Sequence, residues 1–176
     1  LAHAGLYAIT GPTGAGKSVL LDALCLALYN DTPRLRAAPA RDSQTPDVEH
    51  ESVPTADPRT LLRRGSSEGW AEVDFLGQDG HRYRSRWSVR RARGRASGRL
   101  QAVEMALSCL DDGQLLASQM KEHRAQLERV LGLSFDQFTR AVLLAQAEFG
   151  AFLRASDKER AELLEKLTDS ARYARI

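Results

Sequence analysis

The sequence predicts an α/β fold, and three observations carry that expectation. A glycine-rich octapeptide, Gly11 to Ser18, lies between a short apolar stretch and an apolar helical run. Three strand-like stretches between Trp70 and Leu110 alternate polar and apolar residues, as a half-buried sheet does. From Ser118 onward the spacing turns helical and is punctuated by capping residues.

Leu6-Tyr7-Ala8-Ile9-Thr10 reads as a short buried strand, and Val19 to Leu28 as a buried helix. Between them Gly11, Pro12, Thr13, Gly14, Ala15, Gly16, Lys17 and Ser18 fit the phosphate-binding pattern G-x-x-x-x-G-K-[ST]. Strand, glycine loop and helix form the context in which that pattern works. Glycine lets successive backbone N–H groups curl around a phosphate, and the helix N-terminus adds partial positive charge. Lys17 then reaches the β- and γ-phosphates, and the Ser18 hydroxyl ligates Mg²⁺. The competing reading is a chance match in a Gly-rich turn. These eight residues are the candidate nucleotide site.

The 176 residues suffice for one domain with a core. The chain opens on Leu1 and ends within a charged helical pattern, so a piece of a longer protein is expected. The net charge of +2 gives no global field for a polyanion, so any basic footprint is local. Cys25 and Cys109 lie in apolar segments and form no C-x-x-C pair. That argues against a structural zinc site or a disulfide framework and for a reducing cytosol. No apolar run approaches transmembrane length, so no membrane is expected as a partner.

Along the chain, the first helix should end near Asn30-Asp31, with Pro33 as its stop. Residues 33–58 hold five of the six prolines and few large apolar side chains, which predicts a flexible insertion. Trp70 to Leu76, His81 to Arg90 and Leu100 to Leu110 predict an antiparallel meander, with turns at residues 77–80 and 111–113. In the second strand Tyr83, Ser85, Trp87 and Val89 share one face, with Arg82, Arg84, Arg86, Ser88 and Arg90 on the other. Ser118 caps a helix running to Leu131, and Ser134 with Gln137 forms a capping box for the next. Ser156 with Glu159 opens a third, whose leucine stripe over 157–176 predicts the start of a coiled coil.

Three blocks then resemble a known family. They are Gly5 to Leu28 with Tyr29 and Thr32 to Leu35; Phe138 to Gln146 with Phe149, Ala151, Phe152 and Leu153; and Lys158 to Thr168. In this order and spacing they resemble the SbcC family, in the SMC-like branch of ABC-type ATPases. The resemblance implies that residues 1–176 are the N-terminal half, or first lobe, of an ABC-type ATPase head leading into a coiled coil. It implies ATP and Mg²⁺ as cofactors and a second copy of the head as partner. It further implies an SbcD-type nuclease subunit and double-stranded DNA ends or hairpins, in the cytoplasm at the nucleoid. Gln146 matches the family's Q-loop glutamine, which reaches Mg²⁺ and the attacking water, so Lys17 and Gln146 are the catalytic candidates and Ser18 and Gln146 the Mg²⁺ candidates. Without the resemblance Gln146 reads as a solvated residue at a helix end.

The same resemblance marks what the sequence lacks: an acidic residue ending an apolar run, the signature loop, the histidine switch and the zinc-hook cysteines. The fragment alone is therefore not expected to turn over ATP. From Arg82 to Arg99 there are eight arginines and no acidic residue, which predicts a basic face on a strand and its loop. Arg90, Arg91, Arg93 and Arg95 are the candidate DNA phosphate contacts, against a solvated edge strand as the plain reading. A stand-alone P-loop NTPase and a non-catalytic DNA-binding module are the alternative functions.

Overall fold

The structure, a computed structural model, describes residues 9–37, 43–48 and 51–141. The chain divides into two compact units, Leu1–Val130 and Leu131–Ile176.

In the first unit, helix α1 (Lys17–Tyr29) begins directly at the glycine loop and stops at Asn30, which adopts φ 54° and closes the last turn by donating its N–H to Leu26 O. Asparagine tolerates this left-handed geometry because its short polar side chain can bond locally. Thr32 then caps the four-residue helix α2 (Pro33–Arg36), accepting the Leu35 N–H on Oγ1 at 3.2 Å. The expected end of the first helix is where the sequence placed it.

A meander of four strands follows, β3 (Glu68–Leu76), β4 (Arg82–Arg90), β5 (Glu104–Cys109) and β6 (Leu115–Ala117), all antiparallel in that spatial order. The alternation in β4 resolves as expected, with Tyr83, Ser85, Trp87 and Val89 buried on one face. That face packs against α1: Leu26, Ala27, Ala71, Trp87, Val89 and Met105 form one apolar cluster, with Leu62 laid over Gly69. A Cβ at Gly69 would stand 2.8 Å from Leu62 Cδ1, so glycine there admits the leucine. Strand β6 has no counterpart among the three expected stretches; at three residues it is too short to show a period. Helix α3 (Met120–Leu131) starts two residues beyond Ser118, its first backbone bond running from His123 N–H to Gln119 O.

The described residues of the stretch 33–58 include regular structure. Besides α2 they carry a hairpin of β1 (Gln44–Pro46) and β2 (Ser52–Pro54), paired antiparallel. Thr45 and Thr55 share a hydroxyl bond of 3.0 Å, and Asp47 grips Arg91 beyond β4. The four described prolines of the stretch occupy places where a missing N–H is harmless: Pro33 opens α2, Pro58 opens a 3₁₀ turn, and Pro46 and Pro54 end strands of a two-stranded ribbon.

In the second unit the capping box is reciprocal. Gln137 N–H donates to Ser134 Oγ at 3.3 Å and Ser134 N–H to Gln137 Oε1 at 2.9 Å, opening α4 (Phe135–Ala141). The proposed coiled-coil start at 157–176 and the Ser156 box lie outside the described residues. So does most of the expected first strand; Ile9 and Thr10 are described and are not strand.

Candidate functional site

The octapeptide is an exposed loop whose backbone is set by two glycines. Gly14 has φ 84° and Gly16 φ 87°, the left-handed region where a side chain would be strained. Ala15 N–H donates to Pro12 O at 3.2 Å and closes the loop into a tight turn. Gly16 is the N-cap of α1 and supplies no side-chain acceptor, and the first turn carries no acidic residue. Among the described residues, the N–H groups of Lys17 and Ser18 meet no acceptor. These are the orphan donors of a helix start, aimed out of the loop with the helix dipole behind them. A phosphate group satisfies both donors and dipole at once.

Lys17 sits at the first position of α1, and its Nζ donates to Gly11 O at 2.6 Å and Pro12 O at 2.8 Å. The ammonium thus closes the loop onto its own carbonyls and stands beside the donors. Phosphate oxygens can replace those carbonyls without moving the helix. Ser18, at the second position of α1, is exposed, and its hydroxyl is an oxygen donor of the kind a hard divalent ion takes. The residues present fit both a triphosphate and Mg²⁺. Gln146 lies outside the described residues.

The opposite end of α1 is fixed by polar contacts that the sequence reading missed. Ser85 Oγ donates to Ala27 O at 2.6 Å and lies 2.8 Å from His123 Nε2, all in a solvent-free layer. Because the hydroxyl proton is committed to the carbonyl, His123 must donate from Nε2. Burial holds its pKa down to about 4, so the ring is neutral. Trp87 Nε1 donates to Asn30 Oδ1 at 2.6 Å. Helix α1 is therefore bonded to β4 at two points, and one of them reaches α3. The one signal for this layer was Ser85, a polar residue in the apolar face of its strand. Cys25, on the same buried turn, has its thiol pushed up to about 12, first by burial and then by Asp22 and Asp31.

The arginine stretch requires a correction. Its counter-charges are absent locally in sequence but supplied by neighbouring strands, by the turn after β5 and by the β1–β2 hairpin loop. Arg84 is bidentate on Asp74 at 2.7 and 2.8 Å, and Arg86 bonds Glu72 at 2.9 Å while covering the Trp70 ring. Arg82 pairs with Asp111, Arg90 with Glu104 and Arg99 with Glu51. Arg91 is not a surface residue: it is 5% exposed and bidentate on Asp47, whose carboxyl it holds below the usual range. Arg93 and Arg95, exposed in the loop after β4, have no carboxylate partner among the described residues. Direct cross-strand pairing puts Glu72 opposite Arg86 and Asp74 opposite Arg84, which no linear count of charges reveals.

With this geometry in place, comparison with known proteins gives the class. The family model described as AAA domain matches residues 3–175, and the chain belongs to that family of P-loop ATPases. The chain is 58% identical over 177 residues to the SbcC component of the SbcCD nuclease of Pseudomonas aeruginosa, and 53% identical over 176 to that of Rhodobacter capsulatus. Each comparison takes in the whole of this chain and 14% of the relative. It is 28% identical over 171 residues to the DNA double-strand break repair Rad50 ATPase of Methanopyrus kandleri, covering 96% of this chain and 16% of that one. The chain thus spans about one seventh of the length of these relatives, and the resemblance read from its three blocks is borne out. Among the described residues no helix is long and apolar enough to cross a membrane.

Proposed function

We propose that this chain is the ATP-binding portion of an ATPase subunit that controls a nuclease in DNA repair and recombination. The observation that carries it is the loop: two left-handed glycines, orphan N–H donors at a helix start, and Lys17 bridging the loop mouth. The names of its relatives supply the setting. In this reading ATP sits on Gly11 to Ser18, and Mg²⁺ is held by Ser18 and by Gln146. Lys17 neutralises charge on the β- and γ-phosphates as the bond to the γ-phosphate breaks, and Gln146 orients the attacking water. Turnover needs an acidic residue from outside this chain, as Mg²⁺ ligand and catalytic base, and closure of a second copy of the head over the nucleotide. An SbcD-type nuclease subunit reads that closure and acts on double-stranded DNA ends or hairpins at the nucleoid.

DNA contact belongs, in this proposal, to Arg93 and Arg95, with Arg90 joining by exchanging its exposed pair with Glu104. Arg91, buried on Asp47, is left out of this proposal. Replacing Arg93 and Arg95 by Gln in the full-length protein should flatten the salt dependence of DNA affinity by up to about two units. An unchanged slope leaves both as solvated loop residues. For the nucleotide site, Lys17→Ala in the full-length protein should abolish ATP binding without lowering thermal stability. Wild-type affinity in that variant would rule the assignment out.

A further inference from the structure

The two turns at one end of the meander bring together three metal-ligating side chains that lie apart in sequence. His81 precedes β4, Cys109 ends β5 and Asp111 sits in the turn that follows, with their donor atoms all within 4.8 Å of one another. We propose that His81, Cys109 and Asp111 form a binding site for a borderline divalent transition metal ion, with Zn²⁺ the best match.

The distances favour an ion over a simple polar contact. His81 Nδ1 and Asp111 Oδ2 are 3.4 Å apart, long for a hydrogen bond between an imidazole and a carboxylate. Two such ligands on one tetrahedral Zn²⁺, each bound at about 2.1 Å, stand about 3.4 Å apart. A thiolate at about 2.3 Å from the same ion would lie about 3.6 Å from each of them. The sulfur lies within 4.8 Å of both partners, so closing onto an ion takes roughly 1 Å of approach at most. Part of that approach can come from His81, whose side chain is 60% exposed.

The surroundings orient the donors as an outer shell does. Arg82 donates its backbone N–H to Asp111 Oδ2 at 2.9 Å and its Nε to Oδ1 at 2.8 Å. That fixes the carboxylate and leaves one lone pair of Oδ2 directed at His81. Asp112 accepts the Gln114 N–H at 2.9 Å, which fixes the turn that carries Asp111. Cys109 itself is 6% exposed, so its sulfur is largely shielded from bulk solvent. A sulfur, nitrogen and oxygen donor set selects Zn²⁺, Co²⁺ or Ni²⁺ over Mg²⁺ and Ca²⁺, which take oxygen ligands. On binding, the thiol gives up its proton to solvent and the thiolate takes the ion. With three protein ligands the fourth position belongs to water. The ion ties the turn before β4 to the turn after β5.

Co²⁺ is the spectroscopic probe, titrated into the full-length protein and into its Cys109→Ser and His81→Ala variants. Subtracting the Cys109→Ser spectrum removes any metal bound elsewhere. The difference should show a thiolate-to-cobalt charge-transfer band saturating at one equivalent, abolished by Zn²⁺ and untouched by excess Mg²⁺. His81→Ala, at an exposed position, should weaken binding tenfold or more. In parallel, Zn²⁺ should slow alkylation of the Cys109 peptide in wild type and not in His81→Ala, with the Cys25 peptide unaffected. A featureless difference spectrum, or Cys109 alkylation indifferent to Zn²⁺, overturns the site.

Discussion

The two ends of α1 are built on opposite terms. At its start Val19, Leu20 and Leu21 are 54%, 52% and 44% exposed, and the loop before them is bonded mainly to itself. At its end Cys25 and Ala27 are fully buried, and the backbone and side chains are bonded to β4 through Ser85 and Trp87. Ligand contacts at the free end act on a rod whose other end is fixed to the sheet and, through His123, to α3. The contrast places the chemistry at the end whose first helical N–H groups are unsatisfied, and the stability at the end tied to the sheet through Ser85 and Trp87.

The largest expected effect breaks the free end. Gly16→Ala forces a Cβ into φ 87° at the helix N-cap, while open space around it means no clash within the fold. ATP binding should fall by tenfold or more with the fold retained, as read by equilibrium nucleotide titration; undiminished binding would show that the loop geometry is not what holds phosphate. Next comes Arg91→Ala, which strands Asp47 in a place 11% exposed. Thermal or denaturant unfolding should show a loss of about 3 kcal/mol, the lower end for a broken buried pair, with ATP binding unchanged.

Ser85→Ala tests the fixed end itself. It leaves Ala27 O and His123 Nε2 without their partner, at a cost of about 1–3 kcal/mol, and should change stability far more than ATP affinity. A loss of affinity larger than the loss of stability would erase the division between the two ends. The pH dependence sharpens the same point. His123 titrates near 4 folded against 6.5 unfolded, so the unfolded chain binds the extra proton between those values. Stability is therefore full above pH 6.5 and falls as pH drops towards 4, by at most about 1.4 kcal/mol per pH unit from this group. His123→Gln should remove that share of the slope. At the bottom of the scale, Arg84→Ala on the exposed sheet face should leave the unfolding midpoint indistinguishable from wild type, because exposed pairs contribute little.

Much of this was legible in the sequence. The octapeptide announced the loop, the period of two in β4 announced its buried face, and Ser134 with Gln137 announced a helix start. Each is a local signal, readable within a few residues. What escaped is non-local. Glu72 and Asp74 neutralise arginines ten or more residues away because the register of β3 and β4 sets them opposite. Asp47 turns a proline-rich stretch into a packed one by reaching Arg91, 44 residues on. Ser85 meets Ala27 across 58 residues, and Cys109, read as a lone apolar thiol, meets His81 only through the meander. Composition and charge counts are blind to tertiary pairing, and tertiary pairing decides all four.

Hydrogen exchange along α1 in the full-length protein, with and without ATP and Mg²⁺, tests the contrast between its ends most directly. Amides over residues 12–20 should exchange quickly without nucleotide and become protected when it binds, as the loop and helix-start donors find acceptors. Amides over residues 25–30 should be protected in both states and change little. Protection that appears at residues 25–30 on binding while residues 12–20 stay unprotected would contradict the assignment of both ends.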